Sequence, residues 1–108
     1  MVILCLTSLW RKQPLPNAKL KQVLGYQVFF WSNEGNPLEP VHVHVGKTLN
    51  ENATKIWILR NGSVKLEHNK SQIKSKDLKR ILRTLLLYSD ELVTMWENYF
   101  NVKATFIS

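Results

Sequence analysis

The chain has 108 residues, of which 44% are apolar and 21% are charged. This composition is typical of one folded domain and excludes a disordered or fibrous protein. The single cysteine, Cys5, excludes an internal disulfide and a cysteine-based zinc cluster. No apolar run reaches the roughly 20 residues needed to cross a bilayer, and no basic segment precedes the apolar start. We therefore expect no signal peptide, no membrane association and a cytoplasmic location.

The net charge of +7 is concentrated in two parts of the chain. Residues 1–24 carry four basic and no acidic residues, and residues 69–88 carry six basic residues against one acidic residue. Residues 25–68 are balanced, whereas residues 89–108 are slightly acidic. Such a distribution attracts polyanions or acidic proteins, although a solvated basic surface is an equally simple interpretation.

The first 24 residues are predicted to form an N-terminal arm. Residues 2–6 are typical of a short strand, and Pro14 and Pro16 favour an extended basic linker after it. We therefore divide the chain into an N-terminal strand and basic linker arm, residues 1–24, and a single domain, residues 25–108.

Two strands are predicted next. In residues 25–32, large apolar side chains point to both faces, which favours a central strand that is covered on both sides. In residues 41–45, valines alternate strictly with His42 and His44. We predict that the valines pack against the C-terminal helical segment, and that the histidines lie on the opposite face of the sheet, at least partly open to solvent.

A β-hairpin is predicted at Asn61-Gly62, which stands between two apolar runs. This dipeptide favours a two-residue type I′ turn in which both residues have positive φ. The resulting register pairs Leu59 with Val64 and Trp57 with Leu66, and it places these four side chains on the core face, with Lys55 and His68 at its open end.

From Ser75 onward the hydrophobic period becomes helical, with Ser75 as the expected N-cap. The stripe runs to Phe100, with Ser89 at the one missing apolar step, and Leu86 broadens it. One long helix and two helices that meet near Ser89 both fit. Residues 102–107 form a last strand or a tail. The predicted fold class is α+β, a small mainly antiparallel sheet covered on one face by this helical segment.

Three segments together resemble a bacterial family, the domain of unknown function 4160. They are an aromatic strand that ends in Ser32-Asn33, a His-Val-His-Val strand after Pro40, and an Ala-x-Lys-x-Trp strand that starts at Ala53. A C-terminal helical Trp, Trp96, completes the resemblance, which covers about residues 25–101. It implies an α+β fold without a settled activity. It also implies a small partner protein encoded nearby, as in toxin–antitoxin modules.

His42 and His44 are the first candidate site. Residues two apart on a strand place both rings on one face, roughly 6–7 Å apart at the backbone. Such a pair can act as general base and general acid in RNA cleavage, or it can chelate a metal if His68 or Glu34 supplies a third ligand. Because no further metal motif accompanies the pair, we predict neither a metal nor a cofactor. A purely structural role for both rings is the third interpretation.

The second candidate site is a basic row in the predicted helix, formed by Lys76, Lys79, Arg80 and Arg83. These residues are spaced so that they share one helical face, which can contact RNA or DNA phosphates or can simply be solvated. A set of five aromatic residues is interpreted as core: Phe29, Phe30, Trp31, Trp57 and Trp96.

Two functional hypotheses follow. The first is a small protein-interaction module, one component of a toxin–antitoxin-like pair. The alternative is a histidine-dependent ribonuclease that contacts RNA through the basic row. The sequence contains no nucleophile elbow, phosphate loop or paired-carboxylate site, so an enzymatic activity would have to depend on the histidines. Whether the protein is an enzyme stays open.

Overall fold

The fold is a five-stranded antiparallel sheet followed by two helices, as predicted for the α+β class. The computed structural model describes residues 3–5, 25–31, 38–48 and 50–107. The elements in chain order are β1 (Ile3–Cys5), β2 (Gln27–Trp31), β3 (His42–Gly46), β4 (Thr54–Ile58), β5 (Val64–His68), α1 (Ser75–Leu87) and α2 (Ser89–Phe100). The spatial order of the strands is their order in the sequence, and each strand pairs antiparallel with the next.

The N-terminal strand of the arm belongs to this same sheet. β1 pairs with β2, with Leu4 opposite Phe30. The basic linker that we predicted after it lies outside the described residues. β2 therefore has a strand on each side, and its residues Val28, Phe29 and Phe30 are all buried, although they alternate between the two faces. The prediction of a central strand that is covered on both sides is confirmed.

The core lies between one sheet face and the two helices. Val43 stands opposite Ile56, and Ile56 stands opposite Leu66, so one row of apolar side chains crosses three strands. The valines of residues 41–45 are fully buried in a cluster with helix side chains such as Leu85 and Trp96. The prediction that the valines pack against the helical segment is therefore confirmed.

The hairpin exists, but its turn and its register differ from the prediction. Ile58 pairs with Val64, and the Leu59 N–H donates to the Ser63 carbonyl at 2.8 Å, so the loop holds three residues. Among the loop residues, only Gly62 has a positive φ, of 88°. The type I′ turn and the pairing of Trp57 with Leu66 are therefore wrong.

Hydrophobic matching explains the observed register. Shifting a strand by one residue would send every side chain to the other face. The observed register places Val64 and Leu66 beside the isoleucines of β4, on the buried face, and leaves Trp57 on the opposite one. The pairing then slips at a β-bulge, after which Lys55 stands opposite His68.

The helical segment is divided at Tyr88, whose φ of −108° and ψ of 14° depart from helical values. Of the two alternatives that fitted the sequence, two helices are correct. Ser75 is the first helical residue and not the N-cap, which is Lys74 and makes no side-chain capping bond. Ser89 is buried, in keeping with its place in the apolar stripe.

The outer surface of α1 differs from the prediction at its last turn. Leu86 does not broaden the buried stripe but is 46% exposed. Residues 103–107 form a tail and not a strand, and this tail is tied to the start of β3 because the Val41 N–H donates to the Thr105 carbonyl at 2.9 Å. Within the described residues, neither helix has the length and apolar character that a bilayer-crossing helix requires.

Candidate functional site

The face of the sheet opposite the core carries His42 and His44, the first candidate site. Cross-strand pairing places Phe29, His44, Lys55 and His68 in one row across four strands. A second row joins His42, Trp57 and Lys65. We call these seven residues the histidine face.

His42 is packed among aromatic rings. Its ring centroid lies 5.3 Å from that of Trp57 and 5.2 Å from that of Trp96, which reaches it from α2. The ring is fully buried, and its Nδ1 lies 2.8 Å from the Pro40 carbonyl oxygen. Because a carbonyl can only accept, Nδ1 carries the proton and donates it. The local turn at Pro40 therefore fixes both the orientation and the tautomer of this ring.

His44 is also withdrawn from solvent. It is 8% exposed, and its ring stacks on Phe29 at 5.6 Å and meets the His42 ring at 5.0 Å. The strand spacing does bring the two imidazoles together, as predicted. The expectation that they are partly open to solvent is wrong, because aromatic residues on β2, β4 and α2 enclose them.

This enclosure limits the chemistry of the pair. General acid–base catalysis requires that a ring reach a proton on the substrate. A catalytic role for His42 and His44 stays a prediction, and the burial of both rings does not favour it. In the described part of the chain, no three histidine, cysteine, aspartate or glutamate side chains are arranged to hold a metal ion. Glu34, one of the two proposed third ligands, lies outside the described residues.

Lys55 places a cation beside the histidines. Its Nζ lies 4.4 Å from the centroid of the Trp57 ring and 2.9 Å from Oε1 of Glu39. The lysine side chain is 16% exposed, so the ion pair and the cation–π contact hold it largely out of water. Glu39 could not be found from the sequence. It lies in the loop before β3, 16 residues before Lys55, and no local pattern connects two residues that meet only in the folded sheet.

Glu67 is the second acidic residue that the sequence did not single out. Its carboxylate accepts a 2.7 Å hydrogen bond from Nε1 of Trp57. This bond is the main cause that lowers the pKa of Glu67 below its ordinary value, and burial opposes it. Lys55, His68 and Lys65 lower the pKa further. Trp57 was predicted to lie in the hairpin core, so the pair could not be found without the correct register.

The remaining histidine, His68, has a pKa lowered by partial burial, followed by the positive charges of Lys70 and Lys55. Its Nδ1 accepts the backbone N–H of Lys70 at 3.4 Å, which only a ring unprotonated at Nδ1 can do. His68 is therefore neutral at pH 7 and does not add a cation for binding phosphate.

The basic row of the second candidate site is entirely exposed. Lys76, Lys79, Arg80 and Arg83 lie on one side of α1, opposite the buried Ile81. Among the described residues, no carboxylate forms an ion pair with any of the four. The sequence predicted this surface correctly because helical spacing alone separates the two sides of a helix.

The aromatic residues that the structure describes are buried and offer no exposed ring for stacking bases. Phe30 and Trp96 lie in the core, as predicted, whereas Phe29 and Trp57 are buried on the histidine face; all four are at least nine-tenths buried. Phe30 meets Trp96 edge-on at 5.3 Å, which fixes α2 against the sheet. The side chain of Trp31, the fifth residue of the predicted aromatic set, is not among those that the structure describes.

Comparison with known proteins identifies the family. No match was found among the curated proteins, and none among the solved structures. A family model described as "Domain of unknown function (DUF4160)" matches residues 25–97, which include β2 to β5, α1 and most of α2. The match covers more than half of the chain and includes His42, His44 and the basic row. The chain therefore belongs to the DUF4160 family.

Proposed function

We propose that this protein is a cytoplasmic protein-interaction module, one component of a toxin–antitoxin-like pair, and that its partner binds the basic row of α1. One observation carries this proposal: four cationic side chains are exposed on one side of a helix whose other side anchors it to the core. Substitutions on such a surface can change what it binds without disturbing the fold.

The charge of the surface determines what kind of partner it fits. Uncompensated lysines and arginines raise the rate and the specificity of association with an acidic protein. The family resemblance supplies the candidate, a small protein encoded beside this one. We therefore expect that protein to present an acidic surface to α1.

The ribonuclease alternative is less well supported by the same geometry. It requires His42 and His44 to contact RNA, whereas both rings are enclosed by aromatic side chains. His68 lies in the same sheet face, but its lowered pKa leaves it neutral near pH 7. The basic row is on a helix that packs against the other face of the sheet.

The proposal is tested by co-expression with the protein encoded by the adjacent gene, followed by measurement of affinity for the purified pair. We expect the double variant Arg80→Glu, Arg83→Glu to weaken binding by about tenfold or more, and to reduce its salt dependence. The matched control is Lys65→Glu, Lys103→Glu, which makes the same change in net charge at exposed sites outside α1. Equal affinity in the two double variants would overturn the proposal.

A further inference from the structure

The exposed side of α1 carries two leucines after its four cations. Leu86 and Leu87 follow Arg83 by three and four residues, so helical spacing places both leucines on the face of the basic row. Leu86 is 46% exposed and Leu87 is 78% exposed. We call these six residues the α1 stripe; it consists of Lys76, Lys79, Arg80, Arg83, Leu86 and Leu87.

The α1 stripe therefore has two chemical parts. Its first part offers four positive charges, and its last turn offers two leucines to water. From Lys76 to Leu87 it spans about 16 Å, since a helix rises about 1.5 Å per residue. A single exposed leucine needs no explanation, but two adjacent ones that continue a charged row form a surface with a defined order of charge and apolar contact.

We propose that the α1 stripe binds an acidic amphipathic helix of the partner protein. This inference rests on the proposed function and specifies its partner. Carboxylates on the partner helix would neutralise the basic part, and apolar side chains at one end of it would cover Leu86 and Leu87. A face about three turns long matches the length of a second helix, because helices pack through rows of side chains three and four residues apart.

Three other occupants fit the α1 stripe less well. A phosphate backbone would match the cations but would leave the leucines without an apolar partner. A second copy of this stripe would oppose cations with cations, because the stripe contains no acidic residue. An anionic membrane would receive only two leucines, since Ile81 and Leu85 on the other side of α1 are already buried in the core.

The test measures binding of a synthetic peptide probe by fluorescence anisotropy. The probe is a 20-residue helix with glutamates at positions i, i+4 and i+7 and leucines in the adjoining turn on the same side. A peptide of identical composition with a scrambled order is its control. We expect the ordered peptide to bind at least about tenfold more tightly than the scrambled one.

The protein variants separate the apolar contribution from the charged one. Leu86→Ser, Leu87→Ser should weaken peptide binding by about tenfold, whereas Val102→Ser, at a residue that is 45% exposed outside α1, should leave it unchanged. Far-ultraviolet circular dichroism of each variant checks that the fold is retained. Unchanged binding in the double serine variant would overturn the inference. Tighter binding of an oligouridylate or of phosphatidylglycerol vesicles than of the peptide would overturn it as well.

The same variants distinguish this inference from the proposed function. If charge reversal at Arg80 and Arg83 weakens binding of the protein encoded nearby but the double serine variant does not, the function stands and the inference fails. If neither variant weakens that binding, the proposed function and the inference both fail. Weaker binding in each double variant, with unchanged binding in Val102→Ser, supports the proposed function and the inference together.

Discussion

The indole Nε1 of Trp57 donates a 2.7 Å hydrogen bond to Oε1 of Glu67, and this bond joins β4 to the bulge of β5. The bulge gives β5 one residue more than β4 has at this point, and the extra residue is Glu67. The bond satisfies the donor of a tryptophan that is only 9% exposed. Lys55 lies over the same ring, so the indole is held from its edge and from its face.

The charge of Glu67 should make folding dependent on pH. Its pKa is lowered in the folded protein from an ordinary value of 4.5. A carboxyl with a depressed folded pKa contributes stability that is present above its unfolded pKa and is lost as pH falls through the folded value. We expect urea unfolding to show that Glu67→Gln loses less stability than the wild type between pH 7 and pH 3. Glu51→Gln, at an exposed acid, is the control and should behave as the wild type does.

The pKa of His68 should respond to a neighbouring lysine. Burial is the largest cause that lowers it from 6.5, and the charge of Lys70 is the next. Lys70→Gln should therefore raise the His68 pKa, as measured by NMR titration of the imidazole protons. Because the pKa of His68 is lower in the folded chain than in the unfolded chain, the unfolded chain binds the proton more readily. The free energy of unfolding therefore falls as pH drops from the unfolded pKa of 6.5 through the folded pKa. Lys103→Gln should leave the titration unchanged, and equal shifts in both variants would contradict the assignment.

Gly62 is the position in the hairpin that requires glycine. Its φ of 88° lies in the left-handed region, and an added Cβ would meet only the Ser89 hydroxyl, at 3.5 Å. Because that is an ordinary contact, Gly62→Ala should lower the free energy of unfolding through backbone strain alone, by about 1 kcal/mol. Chemical denaturation measures this loss, and a neutral substitution would show that the turn has another conformation.

Asn61 contributes to the same turn in a different way. Its Oδ1 accepts hydrogen bonds from the Ser63 N–H at 2.9 Å and from the Ser63 hydroxyl at 2.7 Å. Asn61→Ala should lower the free energy of unfolding by about 1 kcal/mol, because both bonds are lost at an exposed site. Ser63→Ala removes only the hydroxyl bond and should cost less than Asn61→Ala in the same denaturation measurement.

The enclosed ring of His42 should be important for stability. His42→Ala removes a fully buried ring that contacts two tryptophans, so we expect a loss of about 3 kcal/mol, as for other large-to-small core substitutions. His68→Ala, at a partly exposed residue of the same face, should cost under about 1 kcal/mol. Comparable losses in the two variants would contradict the packing that we describe.

The elements with a strong local signal were predictable from the sequence. The valine alternation fixed which side of β3 packs against the helices, and helical spacing separated the buried leucines from the basic row. Asn61-Gly62 located the hairpin. In each case the pattern depends on residues that are close together in the chain, and the period of the backbone decides where their side chains point.

The incorrect predictions of register and burial depend on packing between strands and helices, which no local pattern specifies. The hairpin register depended on matching Val64 and Leu66 with the isoleucines of β4, and the turn residues alone indicated a different pairing. The burial of His42 depends on Trp57 and Trp96, which come from two other elements. Leu86 fits an apolar period, but it lies about 100° round the helix from Leu85, which faces the core.

The two irregularities of the hairpin compensate for each other. The three-residue loop shifts the pairing of Val64 by one position relative to a two-residue turn, and the bulge at Glu67 restores it before His68. Because the bulge absorbs the extra residue, deletion of Glu67 would leave Ile58 opposite Val64 and Lys55 opposite His68, now in a regular ladder. Deletion of one loop residue would shorten the turn without changing these pairs. A deletion at the loop or at the bulge is thus expected to be tolerated, whereas a deletion between them would turn Leu66 away from the core.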